Sequence, residues 1–225
     1  MEKLILITND DGVDSNGIKV LVDLARNLGR VVVVAPDGAR SGQSNAITVE
    51  QPIFCKKLHE ESNIEVFSCS GTPTDCVKLA LNKILNRKPD LVLSGINHGS
   101  NASTNVLYSG TMGAVFDGCM QDICSLGFFF CSDDKNADFT PCLAYFKSII
   151  EKVLVEPLKK GVCLNVNAPL GQIKGTKVCC QGRGVWTEEF DERRKPDGKR
   201  YFWLTGHFVS KNEDDARTDE WAHKN

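Results

Sequence analysis

The 225 residues carry 27 Lys and Arg against 29 Asp and Glu, a formal charge of -2, which excludes the basic footprint of a dedicated nucleic-acid binder and leaves small ligands as the better expectation. A chain of this length can bury one continuous core, or one domain with an appendage, without disulfide staples. Its ten cysteines are scattered with no CxxC pair, no secretory signal opens the sequence and no apolar run is long enough to span a bilayer, so the expectation is a cytoplasmic protein with reduced thiols and no membrane partner.

In chain order, the first element is the apolar run Leu4 to Ile7, which ends in Thr8-Asn9-Asp10-Asp11-Gly12. Such a run reads as a central strand, and in open α/β sheets ligands gather beyond the carboxyl ends of the strands. On local chemistry alone, Asn-Asp-Asp-Gly suits a surface turn equally well. From Gly17 to Leu28, the residues Ile18, Leu21, Val22, Ala25 and Leu28 fall at helical spacing, with Gly29 as the stop. Val31 to Ala35 is a second buried strand, and the strand, helix, strand order requires a parallel pair joined by a right-handed crossover.

Ala46 to Val49, Ile53 to Leu58 and Ile64 to Cys69 read as short strands of a hairpin extension over about 46–69. Thr72-Pro73 caps and opens a helix whose apolar side continues to Leu85. Asp90 to Gly95 is the next core strand. The segment Ile96 to Gly110 is a long loop without periodicity, of the kind that often carries function, and it leads into a helix from Thr111 to Met120. Ile123 to Phe130 resumes as strand, Phe139 to Val155 as helix, and Val162 to Val166 closes the core.

The chemistry changes after about residue 175. Val178 to Cys180, Val185-Trp186 and Tyr201 to Leu204 are plausible strands around a charged turn, Asp191 to Arg200. They describe a protruding β-arm that packs against another subunit, or a plain edge hairpin folded on its own sheet. Asn212 to Asn225 is polar and expected to be partly disordered. The predicted organisation is α/β: a doubly wound, mostly parallel sheet over 1–174 and a C-terminal β-arm over 175–225, a segment read as shortened and as serving oligomerisation.

Three predicted parallel strands end in oxygen donors on one rim: Asp10 and Asp11 after the first, Ser41 within the loop after the second, and Asn97 after the strand beginning at Asp90. Carboxylate, hydroxyl and amide oxygens are hard ligands, so this set favours magnesium or manganese over zinc. Adjacent carboxylates serve one site only where the strand has already ended, and Gly12 makes that turn cheap. Ser109-Gly110-Thr111 stands at the mouth of a helix, where free N–H groups suit a phosphate, although Ser109 or Thr111 also suits ordinary capping. Ser44 and Asn45 either contact phosphate or turn the chain. His98 is a candidate helper beside the cation, or a solvent-facing loop residue. Asp75 reads as a helix cap, and one or both of Cys179-Cys180 as small buried hydrophobes rather than a redox pair. Neither GxGxxG nor GxxxxGK[ST] is present, which removes most support for dinucleotide and P-loop readings.

Thr8-Asn9-Asp10-Asp11-Gly12, Ala35-Pro36-Asp37 with Ser41-Gly42 and Ser44-Asn45, Ser70-Gly71-Thr72-Pro73-Thr74-Asp75, and Ser94-Gly95-Ile96-Asn97-His98-Gly99 with Leu107-Tyr108-Ser109-Gly110-Thr111 resemble, in order, the signature blocks of the SurE (survival protein E) nucleotidases. The resemblance runs to about residue 170 and, more weakly, through Thr218-Asp219-Glu220-Trp221. It implies a Rossmann-like core with a β-arm, assembled as homodimers or homotetramers. The implied activity is hydrolysis of nucleoside 5'- and 3'-monophosphates, with polyphosphate trimming in some members. It places one divalent cation per subunit on Asp10, Asp11, Ser41 and Asn97, with catalysis resting on Asp10, Asp11 and Asn97. Substrate contact then falls to Asn9, Asn45, Ser109, Gly110 and Thr111. Two departures stand out: Ala102-Ser103-Thr104 replaces usual acidic residues, and relatives continue past Trp221 into a further strand. Two rival readings are an Asp10 or Asp11 covalent nucleophile and a nucleotide-binding protein without turnover.

Overall fold

The computed structural model describes residues 2–134 and 136–225. Two compact units divide the chain: a larger one of residues up to Asn101 together with Asn105–Thr176, and a smaller one of Ala102–Thr104 with Lys177–Asn225. The larger unit is built on a seven-stranded sheet of β1 (Leu4–Thr8), β2 (Arg30–Pro36), β3 (Cys55–Glu61), β4 (Ile64–Cys69), β5 (Leu91–His98), β6 (Cys124–Phe130) and β7 (Leu164–Ala168), in the order β3-β4-β2-β1-β5-β6-β7. Every pairing is parallel except that of β3 with β4. Four helices complete it: α1 (Asn16–Ala25), α2 (Pro73–Leu79), α3 (Gly110–Met120) and α4 (Thr140–Val155).

Strand alternation explains the layering. Ile5 and Ile7 of β1, with Val31 and Val33 of β2, pack with Ile18 and Leu21 of α1 and Phe146 and Ile150 of α4. Leu4, Leu6, Val32 and Val34 instead join Cys76 and Val77 of α2 and Ala114 of α3 on the other face. A strand covered on both faces needs an unbroken apolar run, which is what β1 and β2 supply. Each fully buried Val, Leu or Ile contributes roughly 1.5–3 kcal/mol of transfer free energy. Ser15 caps α1 and Thr72 forms a reciprocal capping box with Asp75 at α2. A Cβ on Gly17 would fall 2.0 Å from the Ile96 carbonyl oxygen, so α1 lies directly against β5.

The chain winds from β1 outward to β2 and β4, then crosses back to β5 and winds outward again to β6 and β7. The order therefore reverses between β1 and β5, and the crevice beyond their carboxyl ends is the place where open α/β sheets bind ligands. Several details differ from the sequence reading. Ala46 to Val49 forms no strand; Thr48 is bound instead through its N–H and hydroxyl by the Asp75 carboxylate. The β3–β4 hairpin extends the main sheet at its edge, because β4 pairs with β2 from Ile64 to Cys69. The helix expected to reach Leu85 changes to a wider π turn at Ala80–Ile84. Strand β5 runs on to His98 through a register shift between Ser94 and Asn97, where Gly95 takes a φ of 124°.

In the smaller unit, β8 (Gly184–Thr187) pairs with β11 (His207–Ser210), and β9 (Phe190–Arg194) pairs with β10 (Arg200–Leu204). Half of the expected turn Asp191 to Arg200 is thus strand, and the tight turn is confined to Lys195 through Lys199, whose N–H and carbonyl groups close it. Val178 to Cys180 yields a single bridge, Cys180 with Thr218, and the expected burial of the Cys179-Cys180 pair does not occur: Cys179 is half-buried and Cys180 exposed, because the segment has no sheet to join. Asn212 to Asn225 is not disordered: it carries α5 (Asp219–Lys224), capped by the Thr218 hydroxyl. Asp219 accepts from the N–H groups of Gly182 at 2.7 Å and Ser103 at 2.9 Å. The Ala102-Ser103-Thr104 segment thus meets a carboxylate on α5. Among the described residues no helix is long and apolar enough to cross a membrane.

Candidate active site

The loop after β1 is held from within. The Asn9 amide donates to the Gly12 carbonyl at 2.9 Å and to the Ser15 hydroxyl at 2.8 Å, while its own oxygen accepts from the Gly12 N–H at 3.2 Å. Gly12 has φ 101°, and a Cβ there would stand 3.2 Å from the backbone of Gly38 in the loop after β2. These bonds end the strand at Thr8, as adjacent carboxylates serving one site require. Asn9 thereby spends both amide hydrogens on the loop itself.

Asp10 is the more buried carboxylate of the rim, 4% exposed. The Thr111 hydroxyl donates to its Oδ1, and its backbone carbonyl accepts from the Arg40 N–H at 2.7 Å. Burial pushes its pKa up to about 6; hydrogen bonds from the Thr111 hydroxyl and backbone oppose the rise, and neighbouring Asp11 adds to it. A buried carboxylate beside a second one is the electrostatic situation a divalent cation resolves, and the candidate donors around it are hard oxygens. The chemistry of Asp10, Asp11, Ser41 and Asn97 therefore fits such an ion.

The remaining rim residues arrive from three directions. Arg40 ties the β2 loop down: its N–H reaches Asp10, and its guanidinium donates to the Asp37 carboxylate and to the Ser70 carbonyl, both at 3.0 Å. Ser41 follows it and is exposed. Further along, the Ser44 N–H donates to the Tyr108 carbonyl at 3.1 Å and its hydroxyl to the Leu107 carbonyl at 2.6 Å. The first turn of α3 then packs under this loop. A Cβ on Gly113 would lie 2.3 Å from the Ser44 carbonyl oxygen and 3.1 Å from the Asn45 Oδ1, and one on Gly110 would lie 3.1 Å from the Asp10 Cβ. Ser109 caps that helix by accepting from the Met112 N–H at 3.1 Å.

Asn97 and His98 separate because strand neighbours face opposite ways. Asn97 pairs with Phe129, which packs with Met112 and Val115 of α3, and its amide donates to the His98 carbonyl at 3.0 Å. His98 pairs with Phe130 and stacks on Phe139 at 5.1 Å on the opposite face, half-buried rather than on a solvent-facing loop. Beyond it, the Asn101 N–H donates to the Asn167 Oδ1 at 2.8 Å and its carbonyl accepts from the Asn165 amide at 2.9 Å, which fastens the loop to β7.

The structure thus brings Asp10, Asp11, Ser41, Asn45, Ser109, Gly110 and Thr111 to one rim at the β1–β5 switch point, with Asn97 at the end of the adjoining strand. Asn9 is turned into its own loop. Two residues that shape this rim, Arg40 and Gly113, were not singled out for that role from the sequence, while Ser44, read as contacting phosphate or turning the chain, fastens the turn to Leu107 and Tyr108. The signal for Gly113 is its spacing, one helical turn after Gly110 at the start of α3.

A family model described as survival protein SurE matches residues 5–188. Among curated relatives, the 5'-nucleotidase SurE of Christiangramia forsetii is 50% identical over 224 residues, covering 97% of this chain and 86% of its own length. That of Phocaeicola vulgatus is 47% identical over 220 residues with the same two coverages, 97% and 86%. The crystal structure of the SurE protein from Aquifex aeolicus has a TM-score of 0.83 and 36% identity, covering 98% of this chain and 89% of its own.

Proposed function

The chain belongs to the survival protein SurE family, and we propose that it is a 5'-nucleotidase whose strand-end rim hydrolyses nucleoside monophosphates to nucleoside and phosphate with the help of a divalent cation. The observation that carries this reading is the buried Asp10 carboxylate, held at the switch point by Thr111 and paired with Asp11.

Asp10, Asp11, Ser41 and Asn97 hold one cation per subunit, magnesium or manganese. When bound, it supplies the charge that polarises a phosphate ester and lowers the pKa of water. The protein's part is to position. Thr111 fixes the Asp10 carboxylate by hydroxyl and backbone, and Arg40 fixes the Asp10 backbone and the loop carrying Ser41. Asn45, Ser109 and Gly110 hold phosphoryl oxygens at the α3 N-terminus, where backbone N–H groups and the helix dipole favour an anion, while Thr111, expected from the sequence to contact substrate, spends its hydroxyl and backbone on Asp10 and acts through that carboxylate. Gly110 lets the first turn of α3 approach Asp10, since a Cβ there would lie 3.1 Å from the Asp10 Cβ. Asn9 acts from the loop beneath, by keeping Asp10 and Asp11 beyond the end of β1.

The reading extends to 3'-monophosphates and short polyphosphate as secondary substrates, to a core of 1–174 carrying the chemistry, and to an arm of 175–225 that joins subunits into a homodimer or homotetramer in the cytoplasm. The exposed Phe190, Phe202, Trp203 and Leu204 support that role for the arm. The deciding experiment measures phosphate release from a panel of nucleoside monophosphates with magnesium, manganese or EDTA. Activity should vanish on chelation and return with added cation. Activity indifferent to chelation, or intact in Asp10→Asn, overturns the mechanism.

A further inference from the structure

Two cysteines oppose each other on the antiparallel edge of the sheet. Cys55 on β3 and Cys69 on β4 are register partners. Next to them the Ser70 N–H donates to the Phe54 carbonyl at 2.9 Å and the Phe54 N–H to the Ser70 hydroxyl at 2.9 Å. The Cys69 carbonyl turns away from β3 and accepts from the Asp37 N–H at 2.7 Å. Cys55 and Cys69 therefore form a non-hydrogen-bonded pair. In such pairs side chains share one face and Cα atoms stand about 4.5 Å apart, inside the roughly 4.4–6.8 Å that a disulfide spans.

The two thiols have unequal surroundings. Cys55 is exposed and Cys69 is wholly buried. A hydrogen bond with Cys76, buried in the first turns of α2, draws the Cys69 thiol down to about 7 against the opposing effect of burial, and the Gly71 N–H donates to its sulfur at 3.4 Å. Burial and the neighbouring Cys69 push the Cys55 thiol up. One sulfur is reachable from solvent, and the other is poised as a nucleophile behind it.

We propose that Cys55 and Cys69 are a reversible thiol–disulfide pair, in which Cys55 takes up a low-molecular-weight disulfide from solution and Cys69 resolves the adduct. The deprotonated Cys55 sulfur attacks one sulfur of the small disulfide, breaks its S–S bond and expels one thiolate. The Cys69 thiolate then attacks the Cys55 sulfur, forms the Cys55–Cys69 bond and expels the second thiolate. The two cysteine protons end on the two released thiols; the pair is oxidised by two electrons and the small disulfide reduced by two. Attack by a thiol whose pKa lies near ambient pH is the favourable case for such exchange.

The bond would pin the outermost strand next to the hydrogen bonds that anchor the β2 loop, Asp37 to Cys69 and Arg40 to Ser70. Cys76 remains a thiol, and nothing in the exchange depends on nucleotide hydrolysis.

The test equilibrates the full chain in graded mixtures of reduced and oxidised glutathione, quenches with acid and an alkylating reagent, and maps peptides by mass spectrometry. The expected product is a Cys55–Cys69 linked peptide, two hydrogens lighter than its reduced form, that appears before any other crosslink and disappears with dithiothreitol. Cys69→Ala should leave glutathione standing on Cys55. Cys55→Ser, at an exposed position that does not threaten the fold, should leave Cys69 alkylatable throughout. Glutathione retained on Cys55 of the unaltered protein, a Cys69–Cys76 link forming first, an unreactive Cys55, or oxidation of Cys69 in Cys55→Ser each overturns the proposal.

Discussion

Strands β1 and β10 are both five residues long, yet LILIT is buried at every position and RYFWL is exposed at four of five. The difference lies in what covers them. Strand β1 has a strand on each side and a helix layer on each face, whereas β10 has β9 alone, and an isolated two-stranded ribbon is marginal in water. Apolar residues in β1 hold the fold together; in β10, Phe202, Trp203 and Leu204 are left 51%, 58% and 72% exposed. The comparison separates two uses of hydrophobicity within one chain: fixing a site and offering a surface.

Matched truncations sharpen that contrast most. Ile7→Ala in β1 should cost about 2–5 kcal/mol of unfolding free energy, the usual range for a buried Ile with its cavity, measured by urea denaturation. Asp10→Asn should leave that denaturation curve nearly in place while nucleotidase kcat falls at least about 100-fold, because even outer-shell changes at metal sites commonly cost about 10–100-fold. Gly113→Ala sets a methyl against the Ser44 carbonyl and should cost about 1–3 kcal/mol as overpacking does, with a raised KM as the Ser44-Asn45 loop shifts.

A smaller effect concerns acid stability. Burial alone would raise the Asp75 pKa, but hydrogen bonds from Thr48 and Thr72 outweigh it and hold the group below its ordinary 3.8. A depressed folded-state value means the contribution is fully present above the unfolded value and is lost as pH falls through the folded one. Asp75→Asn should therefore lower stability at neutral pH and flatten the acid limb below about pH 4, read from urea midpoints across pH; an unchanged acid limb would remove Asp75 from the account. At the small end, Leu204→Ala should change monomer stability by no more than about 0.5 kcal/mol, as exposed substitutions do, while sedimentation reports weaker self-association. If it unfolds the chain as Ile7→Ala does, the contrast between the two strands is broken.

The core was legible in the sequence because its elements carry strong periods. Leu4 to Ile7, Val31 to Ala35 and Gly17 to Leu28 fall within one to three residues of their observed bounds. The ends of β1 and β2, beyond which Asp10, Asp11 and Ser41 lie, were legible for the same reason, whereas Asn97 lies within β5 and not after it. What escaped were features set by neighbours. Phe190-Asp191-Glu192-Arg193-Arg194 has no apolar alternation and becomes β9 only through pairing with β10, helped by the Arg200–Glu192 contact at 2.7 Å. Ala46 to Val49 has strand propensity but no strand to join. The extension of β5 to His98 depends on the register shift at Gly95, which nothing local announces. Asp219 at the head of α5 is fixed by partners as far away as Ser103.

The reversal of strand order between β1 and β5 also governs how the chain is made. Strand β1 emerges first, but one of its edges must wait for β5: the Leu4 N–H bonds to Asp90, 86 residues later. Closing so long a loop is an entropic cost met before the contacts that reward it, which slows folding. Until then the nascent chain carries an unpaired strand edge, apolar from Leu4 to Ile7, followed by two carboxylates. Substitutions that speed local structure between residues 9 and 90 therefore cannot shorten the wait, whereas those strengthening the β1–β5 pairing can.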